Sequence, residues 1–210
     1  MSQNYRVRKN QQIIIFDMDG TLYQLDGENN GYSGSTLESK VNQNIIKYIL
    51  KKENTSIDQT MEIFKLAISD KIGASQFLSK RYQISRSEYF NTVWNINPKN
   101  IINNYQMTIK TISNIPSEIK LILLSSSPKI WIDKAIDYLG IKDKFKTIYS
   151  GEDFDFKTEI FEKLAKIYSP KNITSIGDQE NTDIQPAINL GFKTLLIKKP
   201  QDISLIFYKL

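Results

Sequence analysis

Ile13-Ile14-Ile15-Phe16-Asp17-Met18-Asp19-Gly20-Thr21-Leu22-Tyr23 is the stretch from which the fold is read. Ile13 to Phe16 are β-branched or aromatic throughout, as in a strand buried on both faces. The run stops at two carboxylates one residue apart. Asp17 and Asp19 would share a face only if the strand continued. Gly20 ends it instead, so both acids curl over the C-terminal edge of the sheet, where open α/β folds bind ligands. The same residues also read as an ordinary polar turn. Two acids this close repel each other, and a bound cation is the usual remedy. Mg²⁺ suits such a site, because it takes one or two carboxylates together with waters and substrate phosphate.

Outward from this strand, two textures divide the chain. From Pro116 onward, strand and helix alternate. Ile119 to Leu124 is a second hydrophobic strand ending at Ser125-Ser126-Ser127, and Pro128 opens a helix that Gly140 stops. A short strand at Thr147–Tyr149, a helix Thr158–Tyr168, a strand Ile173–Ile176 closed by Gly177-Asp178, a helix Thr182–Leu190 and a strand Thr194–Ile197 follow. The tail from Pro200 reads as a short amphipathic helix on the sheet. Such alternation predicts an α/β fold, a Rossmann-like doubly wound parallel sheet. The segment Gln24 to Ser35 is instead a loop rich in Gly, Asn and Asp. Helices from Ser35 or Thr36 to Lys52, Ser56 to Lys71, Ala74 to Tyr82, Arg86 to Trp94 and Asn97 to Ser113 come next, with no strand among them. The expected division is therefore a core of residues 1–24 and 113–210 with an inserted all-helical domain, 25–112.

Composition narrows the chemistry. The 210 residues are 40% hydrophobic and 24% charged, as in a globular protein with a real core. There is no Cys, which removes disulfides, thiolate metal sites and a Cys nucleophile. There is no His either, which removes the Ser-His-Asp triad, His-ligated zinc and imidazole base catalysis. The net charge of +5 comes from scattered Lys residues, with no basic stretch interleaved with aromatics, so no nucleic-acid partner is expected. No apolar run is long enough to span a membrane. The polar, basic start Met1 to Gln12 lacks the apolar core of a signal peptide, and a cytoplasmic location is expected.

More polar groups fall where the first acidic pair falls, at strand ends or just after. Ser125 ends the second strand, Lys157 opens a helix, Asp178 ends a later strand and Asp183 follows shortly. Taken singly, Ser125 could cap a helix, Lys157 could be solvated, Asp178 could form an Asx turn and Asp183 could be a first-turn helix acid. In a doubly wound sheet all four meet the first pair at one edge.

These residues together resemble the motifs of the haloacid dehalogenase-like superfamily, and the likeness spans nearly the whole chain. Asp17-Met18-Asp19-Gly20-Thr21 is similar to its first motif, Ser125 to its second, Lys157 to its third and Gly177-Asp178-Gln179-Glu180-Asn181-Thr182-Asp183 to its fourth. The resemblance implies that Asp17 is a nucleophile forming an aspartyl phosphate and that Asp19 is a general acid and base. It implies that Asp17, the Asp19 carbonyl and Asp178 hold Mg²⁺, with Asp183 a ligand through water or a support. It also implies that Thr21, Ser125 and Lys157 hold the phosphoryl oxygens. Dehalogenases of the superfamily lack the second acid, so Asp19 favours phosphate transfer. Two departures are Thr158, where many relatives have Pro, and Ser126, where Asn is common.

The helical insertion resembles the superfamily's cap, which closes over the sheet edge and touches the leaving group. Tyr23, Tyr32, Arg81, Arg86, Tyr89 and Trp94 are candidates for that contact, although aromatics at helical spacing also read as packing residues and arginines as solvated ones. The expected function is a Mg²⁺-dependent phosphatase of a small phosphorylated metabolite. The alternative is a phosphomutase of the β-phosphoglucomutase type, which the motifs do not separate from it. A non-catalytic phosphoaspartate signalling or scaffold module fits less well, given the large insertion and the filled catalytic positions. Oligomeric state is not legible.

Overall fold

The computed structural model describes residues 10–208, so most of the polar N-terminal start lies outside the described residues. Its frame is a five-stranded parallel sheet of β1 (Ile13–Phe16), β2 (Lys120–Leu124), β3 (Phe145–Tyr149), β4 (Ile173–Gly177) and β5 (Lys193–Leu196), in the order β3-β2-β1-β4-β5. The chain leaves β1 toward one side of the sheet and returns to the other side at β4. A crevice therefore opens at the C-terminal ends of β1 and β4, the topological switch point. Register is tight there: Phe16 lies opposite Leu123 and Ile176, and the Asp17 N–H donates to the Ile176 carbonyl at 2.9 Å.

Both faces of the sheet are covered, as a parallel sheet requires. Side chains alternate with period two. Ile14, Phe16, Leu121 and Leu123 face α6 (Lys129–Tyr138) and α5 (Gln106–Ser113), while Ile13, Ile15, Ile122 and Leu124 face α7 (Lys157–Ile167) and α8 (Gln185–Asn189). The Rossmann-like expectation is borne out.

Between β1 and β2 run α1 (Thr36–Glu53), α2 (Ile57–Ser69), α3 (Ala74–Tyr82) and α4 (Arg86–Val93), then α5. Hydroxyl caps start three of them: Ser35 accepts from the Glu38 N–H, Ser56 forms a capping box with Gln59, and Ser85 accepts from the Glu88 N–H. Among the described residues, no helix is long and apolar enough to cross a membrane.

Three segments differ from the sequence expectation. Residues 97–105 are not helical. Asn97 caps its own turn by accepting from the Lys99 N–H, and Asn100 and Asn104 adopt left-handed φ of 65° and 53°, so local asparagine bonding wins over helix propensity. Gln24 and Asn103 instead exchange both backbone hydrogen bonds at 2.9 Å, tying the entry of the insertion to its exit. The expected helix Thr182–Leu190 is a π-type turn, Glu180–Ile184, followed by α8, because Pro186 has no N–H to return to the preceding turn. The tail Pro200–Tyr208 is a 3₁₀ helix that packs Ile203 and Ile206 into the core beside α5 rather than lying on the sheet.

Candidate active site

The turn after β1 positions the first pair of acids. The Met18 carbonyl accepts from the Thr21 N–H at 3.2 Å and the Leu22 N–H at 2.8 Å, winding the chain into one tight turn. Gly20 sits at φ +83°, and a Cβ there would lie 2.4 Å from Asp178 Oδ2. Its glycine is what lets the β4 carboxylate fold over the β1 loop.

Five side chains from four segments then converge. Lys157 Nζ, at the start of α7, donates to Asp17 Oδ1 and to Asp183 Oδ1, each at 2.6 Å. Thr21 Oγ1 donates to Asp17 Oδ2 at 3.0 Å, and Asp178 Oδ1 lies 3.4 Å from the same hydroxyl. Asp17, Asp178 and Asp183 each bring one carboxylate oxygen within 4.8 Å of the others. Their electrostatics are unbalanced, because three largely buried carboxylates share one ammonium. Burial first, then the charges of Asp17 and Asp183, pushes Asp178 up to about 7. Burial, then Asp17, pushes Asp183 up to about 6, against the pull of Lys157. Burial works against the Lys157 ammonium, but Asp17 and Asp183 hold its value above the ordinary one, so it stays protonated. A cluster of hard oxygen donors with surplus negative charge fits a hard divalent cation. Asp183, like Asp17, uses both oxygens, the second accepting from the Gln179 N–H at 3.1 Å, but of the three only Asp17 and Asp178 border the cavity described below.

Asp19 points to a different set of partners. Its Oδ2 accepts from Ser127 Oγ at 2.6 Å and its Oδ1 from Tyr23 OH at 2.5 Å and Trp131 Nε1 at 3.3 Å. Trp131 Nε1 also donates to Tyr23 OH at 3.0 Å, and both rings are fully buried. Burial pushes the Asp19 carboxyl up from its ordinary value, while the Ser127 and Tyr23 hydrogen bonds restrain the rise. Burial, reinforced by Asp19, keeps the Tyr23 phenol protonated as a donor.

A cavity of about 450 Å³ opens above these groups. Asp17, Asp19, Ser125, Lys157 and Asp178 line it from the sheet edge, and Tyr32, Arg86, Phe90 and Trp94 are among the residues that line it from the insertion. All seven expected site residues thus lie in or directly around one cluster, though not all face the cavity. Thr21 is fully buried, its hydroxyl committed to Asp17, and Ser125 Oγ accepts from the Ser127 N–H at 3.1 Å.

Of the expected leaving-group contacts, Tyr32, Arg86 and Trp94 line the cavity, and three are corrected. Tyr23 is sealed beneath Asp19, Tyr89 packs edge-on against Tyr48 and Phe90, and Arg81 pairs with Glu53 at 2.7 Å on the surface. Ser127 and Trp131 escaped the sequence reading. The available signal was a Trp one turn after a strand-ending serine run, since a buried indole N–H needs an acceptor.

The raised carboxylates make a stability prediction. No histidine titrates between pH 5 and 8 in this protein. A carboxyl whose folded value exceeds its unfolded value near 3.8 holds protons that the unfolded chain has released. Cation-free protein should therefore lose thermal stability as pH rises from 5 through 7. A divalent cation held by these carboxylates would compete with those protons, so added Mg²⁺ should raise the melting temperature more at pH 8 than at pH 5. Melts at both pH values, with and without Mg²⁺, check this; an equal or reversed Mg²⁺ effect contradicts the shared site.

Comparison with known proteins bears directly on this geometry. The family model described as haloacid dehalogenase-like hydrolase matches residues 11–191. The chain belongs to the haloacid dehalogenase-like hydrolase family. Solved structures agree in fold. A 2-haloacid dehalogenase from Pseudomonas syringae pv. Tomato superposes with a TM-score of 0.61 at 13% identity, over 95% of this chain and 99% of that one. A putative β-phosphoglucomutase from Thermotoga maritima gives 0.54 at 15% identity, over 95% and 100%. The putative hydrolase YfnB of Bacillus subtilis, bound to magnesium and described as revealing interdomain movement, gives 0.52 at 16%, over 95% and 100%. Among curated proteins none matches the chain. Membership in a hydrolase family makes hydrolysis the expected chemistry, and the neighbours include both a dehalogenase and a putative mutase.

Proposed function

We propose that this family member is a Mg²⁺-dependent phosphatase that hydrolyses a small phosphomonoester through an aspartyl phosphate on Asp17. One observation carries the reading. A second acid, Asp19, stands at the cavity floor beside Asp17, with its own set of donors distinct from the Lys157 cluster. A carbon–halogen bond breaks without a proton, whereas an alkoxide leaving a phosphate needs one.

Each residue then has a task. Thr21 and Lys157 hold the two oxygens of Asp17, leaving the carboxylate fixed for attack on phosphorus. As the new O–P bond forms, the ester P–O bond breaks and Asp19 gives its proton to the departing oxygen. The resulting Asp19 carboxylate next takes a proton from water, whose oxygen attacks the same phosphorus and frees Asp17 and inorganic phosphate. Ser125, at the floor, and Lys157 supply donors for the phosphoryl oxygens. Asp17, Asp178 and the Asp19 carbonyl would hold Mg²⁺, with Asp183 tethering Lys157; when bound, the cation offsets the repulsion between carboxylate and phosphate.

The insertion serves as the cap in this reading. Its hinges are the crossings tied together by Gln24 and Asn103, and α5 belongs with the core it packs against. The cavity's size suits a small phosphorylated metabolite of the cytoplasm rather than a polymer. A phosphomutase would use the same floor, and the putative mutase among the structural neighbours keeps that second reading in view. Chelation should reduce p-nitrophenyl phosphate turnover by about 100-fold or more, the scale of one well-placed electrostatic stabiliser, and Mg²⁺ should restore it. Turnover indifferent to chelation would remove the cation from the reaction. Incubation with β-glucose 1-phosphate separates hydrolysis, which releases phosphate, from mutase action, which forms glucose 6-phosphate.

A further inference from the structure

Two cations line the cavity, and they differ in what they are doing. Lys157 is already matched by Asp17 and Asp183. Arg86, the first residue of α4, is not: among the described residues it enters no ion pair, and its Nε is buried without a hydrogen-bond partner. Its Cζ lies 5.3 Å from the centroid of the Phe90 ring, which supports the guanidinium face and leaves its donor edge as the unsatisfied feature. A buried donor without an acceptor is costly, and a guanidinium fork matches planar or tetrahedral oxyanions better than water. The wall around it is otherwise uncharged: Trp94 stacks on Tyr32 at 5.5 Å with an interplanar angle of 18°. The transferred phosphoryl must sit at the floor, against Asp17. A phosphoryl group fills only part of a 450 Å³ cavity, and Arg86 is carried by α4 of the insertion, whereas Asp17 is carried by the sheet edge.

We propose that Arg86 is a specificity residue that binds a second oxyanion on the leaving group, so the substrate is a small phosphomonoester that carries a carboxylate or another phosphate. The inference rests on the phosphatase reading and goes beyond it by naming the class of ester. An unmatched, permanently charged fork on the insertion thus lines the same cavity as Asp17 on the sheet edge.

Three matched esters test it: 2-hydroxyethyl phosphate, carboxymethyl phosphate and ethane-1,2-diyl bisphosphate. With Mg²⁺ present, wild-type kcat/KM should be at least about tenfold higher on one of the charged pair than on the uncharged ester, the scale of a hydrogen bond to a charged group. The favoured member identifies the anion as carboxylate or phosphate. Arg86→Gln should bring that ratio to about one, and Arg86→Lys, which keeps the charge and loses the fork, should keep part of it. Equal wild-type turnover of all three overturns the proposal while leaving the phosphatase reading intact. Proportional losses on all three in both variants also overturn it, because Arg86 would then serve the transferred phosphoryl or the fold. Turnover of none of them, or of p-nitrophenyl phosphate, overturns the phosphatase reading and this inference with it. The wild-type ratio needs no variant, so a substitution that fails to fold does not shield the proposal.

Discussion

Asp17→Asn should abolish turnover of every phosphate ester, by at least about 10⁴-fold, the order seen when a nucleophile that acts as part of a unit is removed. The amide is nearly isosteric but its electrons are a poor nucleophile toward phosphorus, so the first covalent step has no substitute. The same change should not unfold the protein. Asp17 is a principal charge raising both Asp178, to about 7, and Asp183, to about 6, and its removal eases the crowding of three acids around Lys157. Lys157 keeps Asp183 as a partner at 2.6 Å. In cation-free protein at pH 8, the variant should therefore melt at or above the wild-type temperature. Activity and stability should move in opposite directions, which separates a catalytic loss from a damaged fold. Measurable turnover in Asp17→Asn, with the protein shown by mass to be free of back-conversion, would end its assignment as nucleophile.

How much of this was legible follows from where the information sits. Strands buried on both faces tend to near-continuous apolar runs, so Ile13–Phe16 and the Leu121–Leu124 part of β2 stand out by composition, whereas Ile173–Gly177 holds Thr174 and Ser175 and is marked instead by the Gly177-Asp178 that closes it. Ligand groups in such sheets gather at strand ends, so Asp17, Ser125 and Asp178 were placed without coordinates. What the linear chain hides is depth and direction. Arg81 and Arg86 stand five residues apart on consecutive helices, yet one reaches Glu53 on the surface and the other the cavity wall. Tyr23 read as a leaving-group contact because it follows the acids; the turn at Gly20 carries it underneath Asp19 instead. Trp131 drew no reading from the sequence, because only the meeting of α6 with the β1 loop aims its indole N–H at Tyr23 and Asp19. The stretch 97–105 failed for a local reason, because its asparagines offer the backbone partners that compete with a helix.

Asp19→Asn should divide substrates by their leaving groups. An alkyl phosphate needs a proton on the departing oxygen, and loss of a positioned general acid costs about 10²–10⁴-fold. p-Nitrophenolate is a stable anion and leaves without one, so the first step on p-nitrophenyl phosphate should suffer far less. Asp19 is also proposed to deprotonate the second-step water, so the variant should accumulate its aspartyl phosphate when fed the aryl ester: a burst of nitrophenolate, then slow turnover. The surroundings of Asp19 give this prediction a finer edge. Tyr23, Ser127 and Trp131 place three donors on two oxygens, which fixes the carboxyl's rotamer. Tyr23→Phe removes the shortest of these bonds and leaves the Trp131 N–H with its long contact to Asp19 alone. That variant should lose kcat on alkyl esters with KM little changed, because the loosened group acts at the transition state rather than in binding. Equal losses on alkyl and aryl esters in Asp19→Asn would show that Asp19 shapes the site without transferring the proton. The second acid would then no longer favour phosphate transfer over carbon–halogen cleavage at this site.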